Sequence, residues 1–454
     1  MVGFRSRPSY PIPADTARRS RMAYTAVDVV EVLAWGRRVG AVAHDPTARA
    51  HRFQFDEDWR ATGVELAPLG MRADQQPSWV FPNLNEDTYY RLPPMLADSL
   101  PDRFGNAIVT AGLARQGVPA REITALDRLA YLGSRGMGAL EFRPPRGPAA
   151  QKPTAIALSE LVVAARRALS GSFAGDDETN AALKQLIAVG TSAGGARAKA
   201  IVAWSPATGD IRSGQVPVDE GYEHWLIKLD GVGEDTDLGT SKDYGRIELA
   251  YQRMAVDAGL HMMPSRLLEE GGRAHFMTKR FDRIGNEPVH VQSLCAMAHL
   301  DFNQRATHDY AQLFDAVHQL GLGPDVRTEV FRRMAFNVAA ANCDDHTKNF
   351  AFMLAPGRGW ELAPAFDVTH AYNPRSEWVS QHLMSVNGAF DGVARADLLS
   401  VADRFVVPGA AAALDRVLAV VEDWRSYAAS AGVGGEDSAH VAADITSMTA
   451  PLHD

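Results

Sequence analysis

Two aspartates and an asparagine in the second half of the chain have the types and spacing that phosphoryl transfer requires. Asp344 lies five positions before Asn349, and Asp367 lies eighteen positions after Asn349, next to an apolar residue. A carboxylate can accept the proton of a hydroxyl nucleophile, while an amide oxygen and a second carboxylate can hold Mg²⁺ against the phosphates of ATP. The carboxylate of Asp345 could also act as the base, but only Asp344 lies five residues before Asn349. Carboxylates fall at such spacings by chance, so the motif gains its weight from residues upstream.

A loop of small residues precedes this motif, between a helix-like segment and an apolar run. It contains the run Ser192-Ala193-Gly194-Gly195-Ala196. Glycines and small side chains let backbone N–H groups approach phosphate oxygens closely. Because no Gly-Lys-Ser/Thr triplet closes the loop, it is not a Walker A sequence. The loop indicates another kind of phosphate-binding loop, with a mobile connector as the alternative.

A lysine and a glutamate follow this loop in the order that protein kinases use. Lys228 lies in a β-rich apolar run over 224–230, and Glu248 lies near the start of an amphipathic helix predicted over 246–255. A strand lysine in this setting can pair with the ATP phosphates, and a helix glutamate can orient it. The alternatives are a lysine on a solvated strand face and a glutamate that the helix dipole favours in a first turn. Together with the downstream motif, the pair predicts a kinase-like site.

The elements that must position these residues form a β-rich part followed by a helical part. Alternating apolar and polar residues over 26–55 predict a meander of strands, and prolines over 143–153 predict a linker. A β-rich lobe is expected over 188–283, and helical periodicity dominates from about residue 292. These elements predict an α+β fold with a protein-kinase-like bilobal core, in which a β-rich N-lobe precedes an all-helical C-lobe. A β-rich N-terminal subdomain is expected before this core.

The proline-rich stretches and the changes from strand to helix patterns also set the expected domain limits. These are a disordered basic tail over 1–22, an N-terminal subdomain over 23–150, an N-lobe with the phosphate-binding loop over 151–285, a helical C-lobe over 286–435 and a C-terminal tail over 436–454. The first 22 residues carry five arginines and no apolar segment of the kind that a signal peptide needs. Met22 is an alternative start to Met1.

Composition excludes several classes of protein. The net charge of −9 argues against non-specific nucleic-acid binding by the whole surface. The two cysteines, Cys295 and Cys343, give no disulfide framework and suit a reducing compartment. No apolar run approaches the roughly 18–20 residues that cross a bilayer. We therefore expect a cytoplasmic protein.

These motifs give the chain a resemblance to the HipA family of bacterial serine/threonine kinases, the toxins of type II toxin–antitoxin pairs. The resemblance covers residues 27–430, and the catalytic-loop motif is its most specific part. The matching stretches are 96–102, 131–133, 138–142, 190–199, 225–228, 279–283, 342–350 and 362–367.

The resemblance implies a role for each matching residue. Asp344 would be the catalytic base, and Asn349 and Asp367 would be the Mg²⁺ ligands. Lys228 would pair with the ATP phosphates, supported by its ion pair with Glu248. The wider ATP-binding set would comprise Ser192, Ala193, Gly194, Gly195, Ala196, Lys228, Lys279, Arg280, Phe281, His346 and Lys348.

Two of these positions carry a further implication. Ser192 lies where the family has its autophosphorylated serine, whose modification expels the loop and silences the enzyme. At Lys279 many members carry Glu, in the segment where backbone groups mostly hold the adenine. The difference at Lys279 puts in doubt a side-chain contact there and leaves nucleotide binding itself unaffected.

Four basic residues near the predicted site also have structural interpretations. His346 either braces the catalytic loop or belongs to a transition-metal site, although no second His or Cys follows at ligand spacing. Lys348 either neutralises the transferred phosphate or faces solvent. Arg280 and Arg283 are interpreted as ion partners after a strand, together with Asp282.

The function expected from the resemblance is that of an ATP-dependent protein kinase toxin that modifies a translation component such as an aminoacyl-tRNA synthetase. Its expected partner is a helix-turn-helix antitoxin dimer of the HipB type, which would provide most of the contact with operator DNA. A small-molecule phosphotransferase of the aminoglycoside type uses a similar motif but lacks a serine-bearing loop. A nucleotide-binding pseudokinase that acts as a co-repressor is the other alternative. The presence of Asp344, Asn349, Asp367 and Lys228 argues against it, because an inactive protein has no chemical need for all four.

Overall fold

The computed structural model describes most of the chain. The described residues are 25–101, 103–147, 160–163, 165, 198–215, 217–230, 232 and 243–453. The expected basic tail over 1–22 and the run 192–196 of the predicted phosphate-binding loop lie outside these ranges. Within the described ranges, no helix combines the length and apolar character that crossing a membrane needs.

The first sheet is antiparallel and belongs to the N-terminal part of the chain. Its strands are β1 (Val29–Ala34), β2 (Arg37–Asp45), β3 (Ala50–Phe55), β4 (Ser78–Trp79) and β5 (Leu140–Arg143), in the spatial order β4-β3-β2-β1-β5. Val30 and Val32 of β1 are fully buried, whereas Val29 is half exposed. This alternation is expected for a sheet with one covered face. The meander predicted over 26–55 is confirmed.

Five helices accompany this sheet. They are α1 (Glu57–Arg60), α2 (Glu86–Tyr89), α3 (Pro94–Ala97), α4 (Arg103–Arg115) and α5 (Ala125–Leu132). A capping box between Thr124 and Asp127 starts α5. The same Asp127 carboxylate accepts a hydrogen bond of 3.0 Å from the backbone N–H of Val27, which ties α5 to the entry of β1.

The second sheet forms the N-lobe of the core. Its strands are β6 (Lys199–Trp204), β7 (Ile211–Ser213), β8 (Glu223–Lys228), β9 (Ser265–Glu270) and β10 (Arg273–Lys279), in the spatial order β7-β6-β8-β10-β9. Helix α6 (Tyr244–Asp257) packs closely against β10. A Cβ at Gly245 would lie 2.1 Å from the carbonyl oxygen of Ala274, so only glycine permits this approach.

Seven helices build the C-lobe. They are α7 (Leu294–Met297), α8 (Tyr310–Gln319), α9 (Pro324–Ala339), α10 (Arg395–Arg404), α11 (Ala410–Glu422), α12 (Trp424–Ala431) and α13 (Gly435–Thr449). Tyr251 and Met254 of α6 belong to the same buried core as Phe331 and Phe336 of α9. The N-lobe helix is thus packed on the C-lobe, which fixes the residues that α6 carries relative to the catalytic loop.

The C-lobe is not all-helical, which corrects the expectation. Its strands and those of the hairpin before it are β11 (Arg283–Ile284), β12 (Glu287–Pro288), β13 (His290–Ser293), β14 (His308–Asp309), β15 (Ala351–Leu354), β16 (Trp360–Leu362) and β17 (Met384–Ser385). They form a three-stranded sheet β13-β15-β16, a parallel pair β14-β17 and the hairpin β11-β12. These segments are too short for stable helices, and pairing satisfies their backbone groups.

The expected C-terminal tail over 436–454 is also corrected. Residues 435–449 form α13, and Val441, Ile445 and Leu452 are buried in the core of the C-lobe. Tertiary burial of one helix face stabilises a segment whose sequence is only weakly amphipathic.

A buried ion triad joins the N-terminal subdomain to the core. Asp282 accepts hydrogen bonds from Arg280 at 2.8 and 2.6 Å and from Arg283 at 2.9 Å. The backbone N–H of Gly138 donates to the same carboxylate at 2.8 Å. Burial alone would raise the pKa of Asp282, but the two guanidinium groups lower it below its ordinary value. The triad therefore holds the β5 turn against the segment that links the two lobes.

Candidate functional site

Lys228 connects three elements at the centre of the site. Its ammonium forms an ion pair with the Oε1 atom of Glu248 and lies 2.5 Å from Oδ1 of Asp367. The side chains of Lys228 and Glu248 are only 11% and 3% exposed. The end of β8, the helix α6 and the segment after β16 therefore meet at one buried cation. This is the pairing that the sequence predicted for Lys228 and Glu248.

Lys199 is a further site residue that the sequence reasoning did not identify. Its Nζ lies 3.4 Å from Oδ2 of Asp367, and its side chain is buried. Lys199 is directly opposite Lys228 in the pairing of β6 with β8. Two like charges at facing positions repel each other, and the Asp367 carboxylate between them offsets that repulsion. The cross-strand register that creates this arrangement is not readable from local sequence.

Charge pairing decides the ionisation of these residues. Burial alone would raise the pKa of Asp367, but attraction and hydrogen bonding from Lys199 and Lys228 lower it below its ordinary value. Burial alone would lower the pKa of Lys228, but Asp367 and Glu248 raise it. Lys228 is therefore charged and Asp367 ionised at neutral pH, as anion and metal binding require.

The backbone around Asp367 is held in an uncommon conformation. Asp367 has a φ of +52°, in the left-handed region that a residue other than glycine rarely adopts. Two hydrogen bonds hold the segment just before Asp367: the backbone N–H of Ala365 donates to the carbonyl of His261 at 2.8 Å, and Arg333 donates to the carbonyl of Ala363 at 2.9 Å. Such conformations persist where surrounding structure imposes them and are frequent at functional sites.

Asp344 and Asn349 lie on a loop between α9 and β15. A single turn over Thr347–Asn349 brings the Asn349 side chain back, so that its Nδ2 donates to the carbonyl oxygen of Asp344 at 2.7 Å. The hydroxyl of Thr347 donates to the carbonyl of Leu300 at 2.7 Å, which anchors the loop to the segment after α7. The Asp344 side chain is 39% exposed and is thus accessible to an acceptor.

Asp345 has a different environment from Asp344. Its Oδ2 accepts hydrogen bonds from Tyr310 at 2.8 Å and from His382 at 2.9 Å, and its Oδ1 accepts one of 2.7 Å from the backbone of Leu383. The carboxylate is buried and engaged at both oxygens. Geometry therefore favours Asp344 over Asp345 as the base, in agreement with the choice made from spacing.

Opposing effects act on the pKa of the Asp344 carboxylate. Burial by the surrounding protein raises its pKa, and Asp367 and Asp345 raise it further, whereas His346 and a hydrogen bond from Trp378 oppose the shift. The net effect is a pKa above the ordinary value for aspartate, which makes the group a better proton acceptor.

Asn349 and Asp367 line the same small cavity. Because the amide nitrogen of Asn349 donates its hydrogen bond to Asp344, the amide oxygen Oδ1 of Asn349 is the atom that can bind a cation. Amide and carboxylate oxygens are the ligands that Mg²⁺ prefers, with phosphate oxygens and water completing its shell. Among the described residues, no group of three His, Cys, Asp or Glu side chains is placed to hold a metal.

The remaining predicted residues have varied surroundings. The His346 ring packs between Phe302 and Trp378, with centroid distances of 5.3 and 6.3 Å. The ammonium of Lys348 lies 4.7 Å from the centroid of Phe302. His346 thus braces the loop, while Lys348 stands beside Asn349 on an aromatic support.

The segment linking the two lobes contains three more of the predicted ATP-binding residues. Lys279 pairs with Glu223 at 2.7 Å near the surface. Arg280 is buried in the ion triad with Asp282, which is the structural role that the sequence also suggested. The Phe281 ring lies 5.7 Å from that of Phe366, immediately before Asp367.

Comparisons with known proteins fit this geometry. A family model described as the HipA-like C-terminal domain matches residues 191–429, more than half of the chain, and the HipA N-terminal domain matches residues 30–143. The chain belongs to the HipA family. No curated protein gave a significant match to this HipA-family chain.

Solved structures show the fold of the family. The HipA of Shewanella oneidensis MR-1, solved with HipB and its operator DNA, matches with a TM-score of 0.61 and 15% identity, over 92% of this chain and 95% of that one. The kinase-like bilobal fold expected from the sequence is therefore confirmed. The Helicobacter pylori proinflammatory kinase CtkA matches 48% of this chain and 92% of its own, with 11% identity and a TM-score of 0.29.

Proposed function

We propose that this HipA-family chain is an ATP-dependent serine/threonine protein kinase and the toxin of a toxin–antitoxin pair. The observation that carries the proposal is the meeting of Lys228, Glu248 and Asp367 beside the loop that presents Asp344 and Asn349. Phosphoryl transfer depends almost entirely on positioning and charge stabilisation, and these five side chains supply both.

Each side chain has a defined task in the proposal. Lys228, oriented by Glu248, pairs with the ATP phosphates, and Asn349 and Asp367 hold Mg²⁺. When bound, ATP supplies the phosphoryl group and the ion neutralises its developing charge. Asp344 accepts the proton of the acceptor hydroxyl.

Regulation is proposed to act through Ser192, in the predicted phosphate-binding loop that contains residues 192–196. A phosphate there adds about −1.5 to −2 charge beside the phosphates of the nucleotide. Repulsion would favour a state in which the loop is withdrawn and cannot hold ATP, so autophosphorylation would silence the enzyme.

The proposed partners follow from the family. The Shewanella HipA was solved with HipB and operator DNA, and we propose an antitoxin dimer of the helix-turn-helix type for this chain. The net charge of −9 favours DNA contact mainly through the antitoxin. The proposed substrate is a translation component such as an aminoacyl-tRNA synthetase, in the cytoplasm. The domain limits given above, apart from the C-terminal tail, are part of the same proposal.

Transfer of labelled phosphate tests the proposal. Purified protein is incubated with γ-labelled ATP and Mg²⁺, together with either a bacterial protein extract or an aminoglycoside as acceptor, or with no added acceptor as a control. We expect label on serine or threonine of protein. Label on the aminoglycoside would indicate a small-molecule phosphotransferase instead, and nucleotide binding without any transfer would indicate a pseudokinase.

A further inference from the structure

Trp378 contacts the proposed base directly. Its indole Nε1–H donates a hydrogen bond of 2.8 Å to Oδ1 of Asp344. Nε2 of His346 approaches the same oxygen at 3.8 Å. The other carboxylate oxygen, Oδ2, accepts no hydrogen bond from any residue in the described ranges. The two oxygens of one partly exposed carboxylate are therefore unequal.

The loop that carries Trp378 is built to present it. The backbone N–H of Asn373 donates to the carbonyl of Val379 at 3.1 Å and closes the loop. Inside it, the hydroxyl of Ser376 accepts hydrogen bonds from the backbone N–H groups of Trp378 at 3.0 Å and Val379 at 3.2 Å. The indole is therefore held by its own backbone and by packing against His346.

The C-terminal end of the same segment contacts Asp345, the residue next to the proposed base. His382 and Leu383 bond both oxygens of Asp345, as described above. Residues 373–383 thus contact the Asp344–Asp345 pair at two points: His382 and Leu383 bind the buried Asp345, and Trp378 binds the partly exposed Asp344. The buried contact fixes the loop, which leaves the contact from Trp378 to fix the orientation of the Asp344 carboxylate.

We propose that Trp378 is a positioning residue for phosphoryl transfer, which holds Oδ1 of Asp344 so that Oδ2 receives the proton of the acceptor hydroxyl. In the reaction, the acceptor O–H proton moves to Oδ2, the acceptor oxygen bonds to the γ-phosphorus, and the bond from that phosphorus to the bridging oxygen breaks to release ADP. This role rests on the proposed function. It assigns no contact between Trp378 and the nucleotide.

The test compares Trp378→Phe with Trp360→Phe. Phenylalanine keeps an aromatic ring beside His346 but removes the indole N–H and makes the ring system smaller, and the same change in size occurs in the control. Trp360 is the matched control because its Nε1–H also donates one hydrogen bond, of 3.0 Å, to the carbonyl of Glu65, away from the site. Hydrogen bonds to charged groups correspond to roughly a 10-fold to 100-fold effect. We expect kcat to fall at least ~10-fold for Trp378→Phe, with KM for ATP within about 2-fold and no loss of Tm beyond that of the control.

Three outcomes decide the proposal. If wild type is active and both variants keep the same kcat, the role of Trp378 is refuted while the proposed function stands. A parallel rise in KM for ATP, or a Tm well below that of the control, would assign Trp378 to nucleotide binding or to stability and overturn the proposal. A wild-type protein that binds ATP and transfers no phosphate would refute the proposed function and this role together.

The contact itself has a readout that needs no activity. In ¹⁵N-tryptophan-labelled protein, the indole resonance that disappears in Trp378→Phe is that of Trp378. We expect Asp344→Ala to shift this resonance and to leave that of Trp360 in place. An unmoved Trp378 resonance would show that the hydrogen bond is absent, which also overturns the proposal.

Discussion

Replacing Lys228 with methionine removes the cation that holds Glu248 and Asp367 together. Methionine matches the lysine stem in length and brings no charge. Asp367 keeps Lys199 at 3.4 Å. Among the described residues, Glu248 has no cation other than Lys228, and its Oε2 accepts no hydrogen bond. The perturbation therefore leaves one buried carboxylate without its partner.

The burial of the pair sets the cost. Leaving one charge of a buried pair without its partner costs about 3–5 kcal/mol. For a unit of 150–250 residues, 1 kcal/mol corresponds to roughly 2–4 °C in Tm, so we expect Lys228→Met to lower the Tm by about 10 °C at pH 7.

The assay is calorimetry at pH 7, where a Tm deficit of about 10 °C is expected for Lys228→Met.

Lys279→Met is the control for this prediction. Lys279 also pairs with a glutamate, at 2.7 Å, but both side chains are about one-third exposed, and such pairs contribute only about 0–1 kcal/mol. A Tm for Lys228→Met within about 3 °C of wild type, equal to that of Lys279→Met, would refute the reasoning.

Three further predictions concern Asp345 beside the base, the metal and the loop. Asp345→Asn should lower stability by about 1–3 kcal/mol through its hydrogen bonds with Tyr310, His382 and Leu383, which thermal unfolding checks; a stable variant would contradict the buried network. Transfer should require Mg²⁺ or Mn²⁺, stop on chelation and not recover with Zn²⁺, because Asn349 and Asp367 offer only oxygen donors; transfer after exhaustive chelation would contradict the ligand assignment. Protein incubated with ATP and Mg²⁺ should carry phosphate on Ser192 by mass spectrometry and lose ATP affinity by titration; complete phosphorylation with unchanged affinity would reject the switch.

Local patterns predicted the elements that carry the site. The apolar spacing over 246–255 predicted α6, and its residues Ile247, Ala250, Tyr251 and Met254 are buried as that spacing requires. The five-residue spacing selected Asp344 over Asp345, and the burial of Asp345 favours the same choice. Such features depend on residues near one another in sequence, where periodicity and motif spacing are informative.

Contacts between distant segments were not predictable in this way. Lys199 reaches Asp367 only because β6 pairs with β8 in a register that places it opposite Lys228. Trp378 reaches Asp344 from a loop 34 positions away that no motif marks. The strands β13 and β15 and the helix α13 are stabilised by pairing and burial that short or weakly amphipathic sequences do not reveal.

The central claim is that Asp344 is the base of an ATP-dependent phosphotransfer site. The most direct test is the rate of γ-phosphate transfer to protein by wild type and by Asp344→Asn, with ATP affinity measured in parallel. We predict that Asp344→Asn lowers the rate by at least ~100-fold, since a positioned general base contributes about 10²–10⁴-fold, and that it binds ATP as tightly as wild type. Near-full transfer by Asp344→Asn would contradict the account.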